Sequence, residues 1–282
     1  MADAMALDHV VINVRAGMDA AEKLISGLGF TLTPRGYHTL GSINALTIFG
    51  TNYLELLGVP PEKPDARPEL TSAPVGLNGL VFKTTDADAT HAHLVSLGIS
   101  ADPPKSFSRP VDLGDGEARA AAFRTVTVPA TEFPAGRLYF CEHATPDLVW
   151  RPEWQRHDNG TAAIVELTLV AAEPDAISAK LAAILTPQKV VAEAGGGHIL
   201  RWADGFSLVV QRPKTYSARF GADAVDLQGR TEAFAALAYD APLPPAIRAH
   251  LAARPETFTV RDAEGHTRVT VRALNTLLLF PA

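Results

Sequence analysis

Short apolar runs alternate with segments of helical period along the chain, and the alternation repeats. The stretch LDHVVINVRAGMDAAEKLISGLGFTL from Leu7 is echoed by LNGLVFKTTDADATHAHLVSLGISA from Leu77, 70 residues on. Each copy predicts a strand, a turn and a helix. The strands are carried by Val10, Val11 and Ile12 and by Leu80, Val81 and Phe82. Met18, Ala21, Leu24, Ile25 and Leu28 recur at helical spacing, Asp86 is placed to cap the second helix, and Gly29 and Gly98 stand where helices stop.

Two weaker copies begin at Ala162 and Glu232, the last with Pro244 and Pro245 in its first helical turn. Strand-like pieces follow every helix: Ala45 to Phe49 and Tyr53 to Leu57, Arg119 to Val128 and Arg137 to Cys141, His198 to Trp202 and Phe206 to Gln211, and Thr257 to Val260 and Arg268 to Leu279. The predicted unit is βαβββ, four times over, an α+β fold. One such sheet leaves a concave face and an edge open, so the modules should pair and enclose a cavity. Pro-rich joints at residues 59–74 and 143–160 divide the chain into modules 7–58 and 75–143, an N-terminal domain over residues 1–160 and a C-terminal domain over 161–282.

Composition narrows the partners. With 25 Lys+Arg against 31 Asp+Glu, the net charge of −6 supplies no basic surplus for nucleic acid or an anionic membrane surface. No run approaches the roughly 18 consecutive apolar residues of a membrane span, and the first residues lack a leader pattern. A single cysteine, Cys141, allows no internal disulfide and no paired-cysteine zinc site. A cytoplasmic protein is expected, and the prevalence of two-fold assemblies makes a homodimer the default.

Strand alternation puts His9, Val11 and Asn13 on one face of the first strand, and Tyr53, Glu55 and Leu57 on one face of the fourth. His9 and Glu55 can then meet, and imidazole with carboxylate begins a site for zinc, nickel, manganese or iron, or serves without metal as a base and its orienting partner.

The run from Tyr37 to Leu46, with His38 and Asn44 spaced as H-x5-N, followed by Asn52-Tyr53-Leu54-Glu55-Leu56-Leu57, resembles the glyoxalase-like subgroup of the vicinal oxygen chelate superfamily. The resemblance implies paired modules in two domains of that type. It also implies metal ligands on the first and fourth strands of both modules, which here match His9 and Glu55. The second-module counterpart of His9 is Gly79, a departure from that pattern. In the closing strand of the second module, Glu142 and His143 face opposite ways, so one of them enters the cavity unless a bulge intervenes. A set of His9, Glu55 and His143 leaves coordination positions open, with Glu55 or Glu142 moving a proton.

Asn13, His38 and Asn44 are candidate substrate contacts beside that pair, and Arg109 and Arg124 are candidate partners for an anionic group. His91 and His93 read as helix-surface residues, Trp150, Trp154 and His157 as anchors of the joint, and Cys141 as a small buried hydrophobe. Relatives with the same four-module build hold iron in their second pair. Here Glu166 takes the His9-like position and His198, His250 and His266 are scattered, so iron there is not expected. Gly195 to His198 reads as a hairpin turn, and no motif for a nucleotide cofactor occurs. The expectation is a glyoxalase-like enzyme acting on a small oxygenated metabolite with a divalent metal, by isomerase, epimerase or lyase chemistry. The rival expectation is a metal-free protein that binds or sequesters a small molecule, as bleomycin-resistance members of the superfamily do.

Overall fold

The computed structural model describes residues 5–193 and 195–282. The N-terminal half runs through β1 (Leu7–Arg15), α1 (Met18–Gly27), β2 (Gly36–Tyr37), β3 (Ile43–Ile48), β4 (Tyr53–Gly58), α2 (Pro68–Ser72), β5 (Gly76–Lys83), α3 (Ala87–Ser96), β6 (Lys105–Val111), β7 (Arg119–Val128) and β8 (Arg137–His143). The C-terminal half repeats the plan with β9 (Ile164–Ala171), α4 (Pro174–Leu185), β10 (Lys189–Ala192), β11 (Gly197–Arg201), β12 (Ser207–Gln211), α5 (Pro213–Phe220), β13 (Glu232–Tyr239), α6 (Pro245–Ala252), β14 (Phe258–Ala263), β15 (His266–Val271) and β16 (Thr276–Pro281). Four βαβββ modules therefore exist, and they pair into two eight-stranded sheets.

In the first sheet the order is β2-β3-β4-β1-β5-β8-β7-β6, so each half-sheet is one module and the seam is the antiparallel pair β1·β5. The second sheet has the same order, with the seam at β9·β13. Local signals account for the helix ends. The Asp86 carboxylate accepts the Ala89 N–H at 2.9 Å, which caps α3. Gly29 and Gly98 adopt φ of +80° and +79°, the left-handed turn that ends α1 and α3. One sequence expectation is corrected: the stretch Arg268 to Leu279 is not one strand. A turn at Arg272–Leu274 and a left-handed Asn275, φ 41°, split it into β15 and β16.

The apolar residues of both halves form one continuous core. Val10, Ile12, Leu54, Leu80 and Phe82 from the first sheet share it with Leu167, Leu169, Phe234, Leu237 and Phe280 from the second, together with Ile25, Leu94, Leu181 and Leu251 of the helices. Aromatic rings cross the boundary: Phe82 to Trp202 at 4.9 Å, Phe30 to Tyr239 at 5.1 Å and Phe133 to Phe234 at 5.8 Å between centroids. The joint after β8 is pinned to the first half as well. His157 Nε2 donates to the Ile48 carbonyl at 2.9 Å, which leaves Nδ1 to accept the Thr31 N–H at 3.1 Å.

The opposite, concave faces differ between halves. In the second sheet that face is filled by α5, whose Tyr216 and Phe220 lie with Val170, Ala236, Leu277 and Leu279 in a separate apolar cluster. In the first sheet the concave face stays open. No helix among the described residues is long and apolar enough to cross a membrane.

Candidate functional site

The first sheet curves around a cavity of about 390 Å³, within the size range of small-molecule sites. Its floor is His9, Tyr53, Glu55 and Tyr139, its apolar wall includes Leu46, Leu57, Phe107 and Phe123, and His38, Asn44, Arg109 and Arg137 supply polar groups.

A bulge in β1 builds the centre. Leu7 pairs with Phe82 and His9 with Val81, so Asp8 is an extra residue that breaks the alternation. The Asp8 carboxylate consequently reaches both His9 Nδ1, at 2.6 Å, and His143 Nε2, at 2.9 Å. Because a carboxylate only accepts, His9 carries a proton on Nδ1 and directs Nε2 into the cavity. There Nε2 lies 2.9 Å from the Tyr139 hydroxyl and 3.5 Å from Glu55 Oε2, and the imidazole stacks on Tyr53 at 4.3 Å. Glu55 is held in turn by the Asn44 side-chain amide, which donates to Oε1 at 2.7 Å.

The charges in this chain of groups are strongly coupled. Burial would raise Asp8, but the charge and hydrogen bond of His143, and those of His9, hold it well below the usual carboxylate range. Burial would likewise lower His9, yet bonds to Asp8 and Glu55 raise it. Against its own burial, Glu55 is held at about 2 by His9, by His38 and by Asn44. His38 goes the other way: burial pushes it down to about 4, helped by the positive charges of Arg109, Arg67 and Arg137. Tyr139, Tyr53 and Cys141 are kept protonated by burial.

Comparison with known proteins follows the same lines. The glyoxalase-like domain family matches residues 7–185, which is more than half of the chain. The chain belongs to the glyoxalase-like domain family. Among solved structures, a hypothetical protein from Staphylococcus aureus is 14% identical with a TM-score of 0.65, covering 98% of this chain and 98% of its own. A mutant 4-hydroxymandelate synthase from Streptomyces coelicolor is 13% identical with a TM-score of 0.54, covering 99% and 92%. A fusion of a xylose isomerase-like TIM barrel with 4-hydroxyphenylpyruvate dioxygenase is 15% identical with a TM-score of 0.57, covering 99% of this chain and 49% of its own. These likenesses establish the vicinal oxygen chelate fold. No curated protein matches the chain.

Strand register shows what this member of the glyoxalase-like family places at the four positions that carry ligands in superfamily enzymes. Val11 pairs with Glu55, and Val81, 70 residues after Val11, pairs with Tyr139. Tyr139 is therefore the second-module counterpart of Glu55, and Gly79 that of His9. No side chain fits at Gly79, since a Cβ there would lie 2.8 Å from Cβ and Cγ2 of Val11.

The residues singled out from the sequence divide into two groups. His9, Glu55, His38, Asn44 and Arg109 line the cavity. His143 stands behind it, bound to Asp8 and packed on Trp150 at 4.8 Å. Asn13 lies at the end of β1, where its amide donates to the carbonyls of Leu70, Ala73 and Pro74 and fixes the connector after β4. Glu142 and Arg124 face α3: Glu142 accepts the Ala87 N–H at 2.9 Å, and Arg124 pairs with Asp88 at 2.9 Å. Asp8, Tyr53, Tyr139 and Arg137 belong to the site without having been singled out. Asp8 and His143 also bring one donor atom each within 4.8 Å of one another and of the cavity-lining Cys141, but the Asp8 carboxylate is already shared between two imidazoles.

Proposed function

We propose that this protein is a glyoxalase-like enzyme of the vicinal oxygen chelate superfamily that transforms a small oxygenated metabolite in the N-terminal cavity. The observation that carries the reading is the orientation of His9: Asp8 fixes its Nδ1–H, so Nε2 and Glu55 Oε2 converge 3.5 Å apart on one side of the cavity floor. A carboxylate-backed imidazole beside a second carboxylate fits a divalent metal, with His9 and Glu55 as its ligands and the Tyr139 hydroxyl adjacent. Such an ion supplies Lewis-acid polarisation of a substrate oxygen when bound. Isomerase, epimerase and lyase chemistry all fit that centre.

The chain's own groups handle protons. With no metal on Nε2, Asp8 stabilises positive charge on His9, so Nε2 can take up a proton and give it to a substrate oxygen. Tyr139, which burial keeps as a phenol, donates a hydrogen bond on the same side. Asn44 holds Glu55 so that Oε2 rather than Oε1 faces His9.

The test is the metal content of protein purified without chelator or affinity-tag metal, compared with a His9→Ala/Glu55→Ala double variant. Near-stoichiometric metal that disappears in the variant supports the enzyme. One observation favours a second reading: Gly79 and Tyr139 occupy two of the four ligand positions. Protein that takes up no zinc, nickel, manganese or ferrous iron would overturn the metal centre in favour of a metal-free binding protein.

A further inference from the structure

Four cationic side chains surround the cavity, and two of them are satisfied. Arg67 pairs with Glu69, and Lys105 pairs with Asp102 at 3.0 Å. Arg109 and Arg137 are different: Nε and Nη2 of both are buried and have no hydrogen-bond partner among the described residues. Arg109 is only 3% exposed, and burial lowers its pKa with no carboxylate hydrogen-bonded to it.

The backbone makes room for both groups. Arg109 extends from the edge strand β6 past Gly36, where a Cβ would lie 2.8 Å from Arg109 Cδ. Arg137 opens β8 opposite Gly79, its guanidinium 5.6 Å from the Tyr139 ring centroid, and a Cβ on Gly79 would come within 3.7 Å of Nη2. A buried guanidinium with unused N–H groups is expensive unless something anionic meets it, and its fork suits a planar carboxylate. Two residues from Arg109 on the same face of β6, Phe107 stacks on Phe123 at 5.2 Å, in one apolar cluster with Leu46 and Leu57.

We infer that Arg109 and Arg137 form the binding site for the carboxylate of a small organic acid whose apolar body lies against Phe107, Phe123, Leu46 and Leu57. This names the substrate class of the cavity and rests on its being the functional site. The acid is oriented with its charged end on the arginines and its reacting part over His9 and Glu55. His38, which burial and the nearby arginines keep neutral, leaves the arginines as the cations that meet the carboxylate.

The test is titration calorimetry of the protein as purified with phenylacetate and hexanoate, with phenylacetamide and hexanamide as neutral isosteres, and with inorganic phosphate. The acids should bind at least tenfold more tightly than the amides. Arg137→Gln and Arg109→Gln should each remove that preference while leaving metal content unchanged. Acids and amides binding equally, no binding of either acid at millimolar concentration, or a preference that survives both substitutions would overturn the inference. Phosphate binding more tightly than either acid would overturn the carboxylate in favour of a phosphate ester. Arg137 is partly exposed, so its variant keeps the test alive should Arg109→Gln fail to fold. Acid binding retained in His9→Ala/Glu55→Ala would uphold the arginine site even where the metal centre fails.

Discussion

Asp8 is wholly buried and serves two imidazoles, so its removal is the most direct probe of the site's construction. Asp8→Ala deletes bonds of 2.6 Å to His9 and 2.9 Å to His143 and leaves both buried rings without their shared acceptor. Hydrogen bonds to charged groups are worth about 1.5–3 kcal/mol each, and breaking a buried ion pair from one side costs about 3–5 kcal/mol. We expect a loss of about 4 kcal/mol on those grounds. With a urea slope of about 2 kcal/mol/M, the unfolding midpoint should fall by about 2 M. Tryptophan fluorescence in urea, with chelator present, is the assay, because Trp150 lies 4.8 Å from the His143 ring and reports locally. Asp8→Asn keeps the shape, one acceptor and one donor, and should lose only about 1–2 kcal/mol. An Asp8→Ala protein within about 1 kcal/mol of wild type would refute the claim that this carboxylate holds the site together.

Three further outcomes follow from particular contacts. Gly36→Ala puts a methyl group into Asn44 Oδ1 and 2.8 Å from Arg109 Cδ, so it should cost about 1–3 kcal/mol and weaken phenylacetate binding in the same titration; unchanged binding would contradict the packing described. His38 is held at about 4 in the folded protein, below the unfolded value of about 6.5, so the unfolded chain takes the proton first and stability falls as pH drops through that window. His38→Gln lacks that proton, and its stability relative to wild type should improve from about pH 6.5 down to about pH 4; a difference that is flat with pH would refute the assignment. Phe82→Ala removes a fully buried ring packed on Trp202 across the two halves and should cost about 3–5 kcal/mol. Trp202 fluorescence should then be lost at lower denaturant, and an unshifted Trp202 transition would show that the halves unfold separately.

Much of this architecture is legible in the sequence because each module carries its own period and stop signals. The Leu7 and Leu77 copies align strand for strand, and Asp86, Gly29 and Gly98 punctuate the helices where expected. The meeting of His9 with Glu55 follows from simple alternation, since both occupy cavity-facing positions of adjacent parallel strands. Alternation also hides what the bulge does. Read strictly, it sends Asp8 to the face opposite His9, and only the register shift between β1 and β5 turns it to His9's side. Tyr139 and Arg137 were equally hidden, because which residues of β8 face inward depends on its pairing with β5 and not on their own chemistry. That pairing sends Glu142 to the α3 side, where it meets the Ala87 N–H. Asn13 is captured by carbonyls of a connector 57 to 61 residues away, a contact no local pattern announces. In the second half, the helix α5 that fills the concave face carries no signal that would tell a plug from a surface helix.

The shared core has a mechanical meaning. Enzymes that bind between two domains commonly admit ligand by a hinge, but here the halves meet through interlocked rings and through mutual hydrogen bonds between the Asn52 side chain and the Ile164 backbone. The cavity floor is therefore backed by a wall that cannot swing. The mouth is bordered instead by side chains near the sheet margin, among them His38 after the short edge strand β2 and Arg67 and Glu69 of the connector. A ligand entering the cavity would therefore meet chemistry-bearing groups already held in place before it arrives.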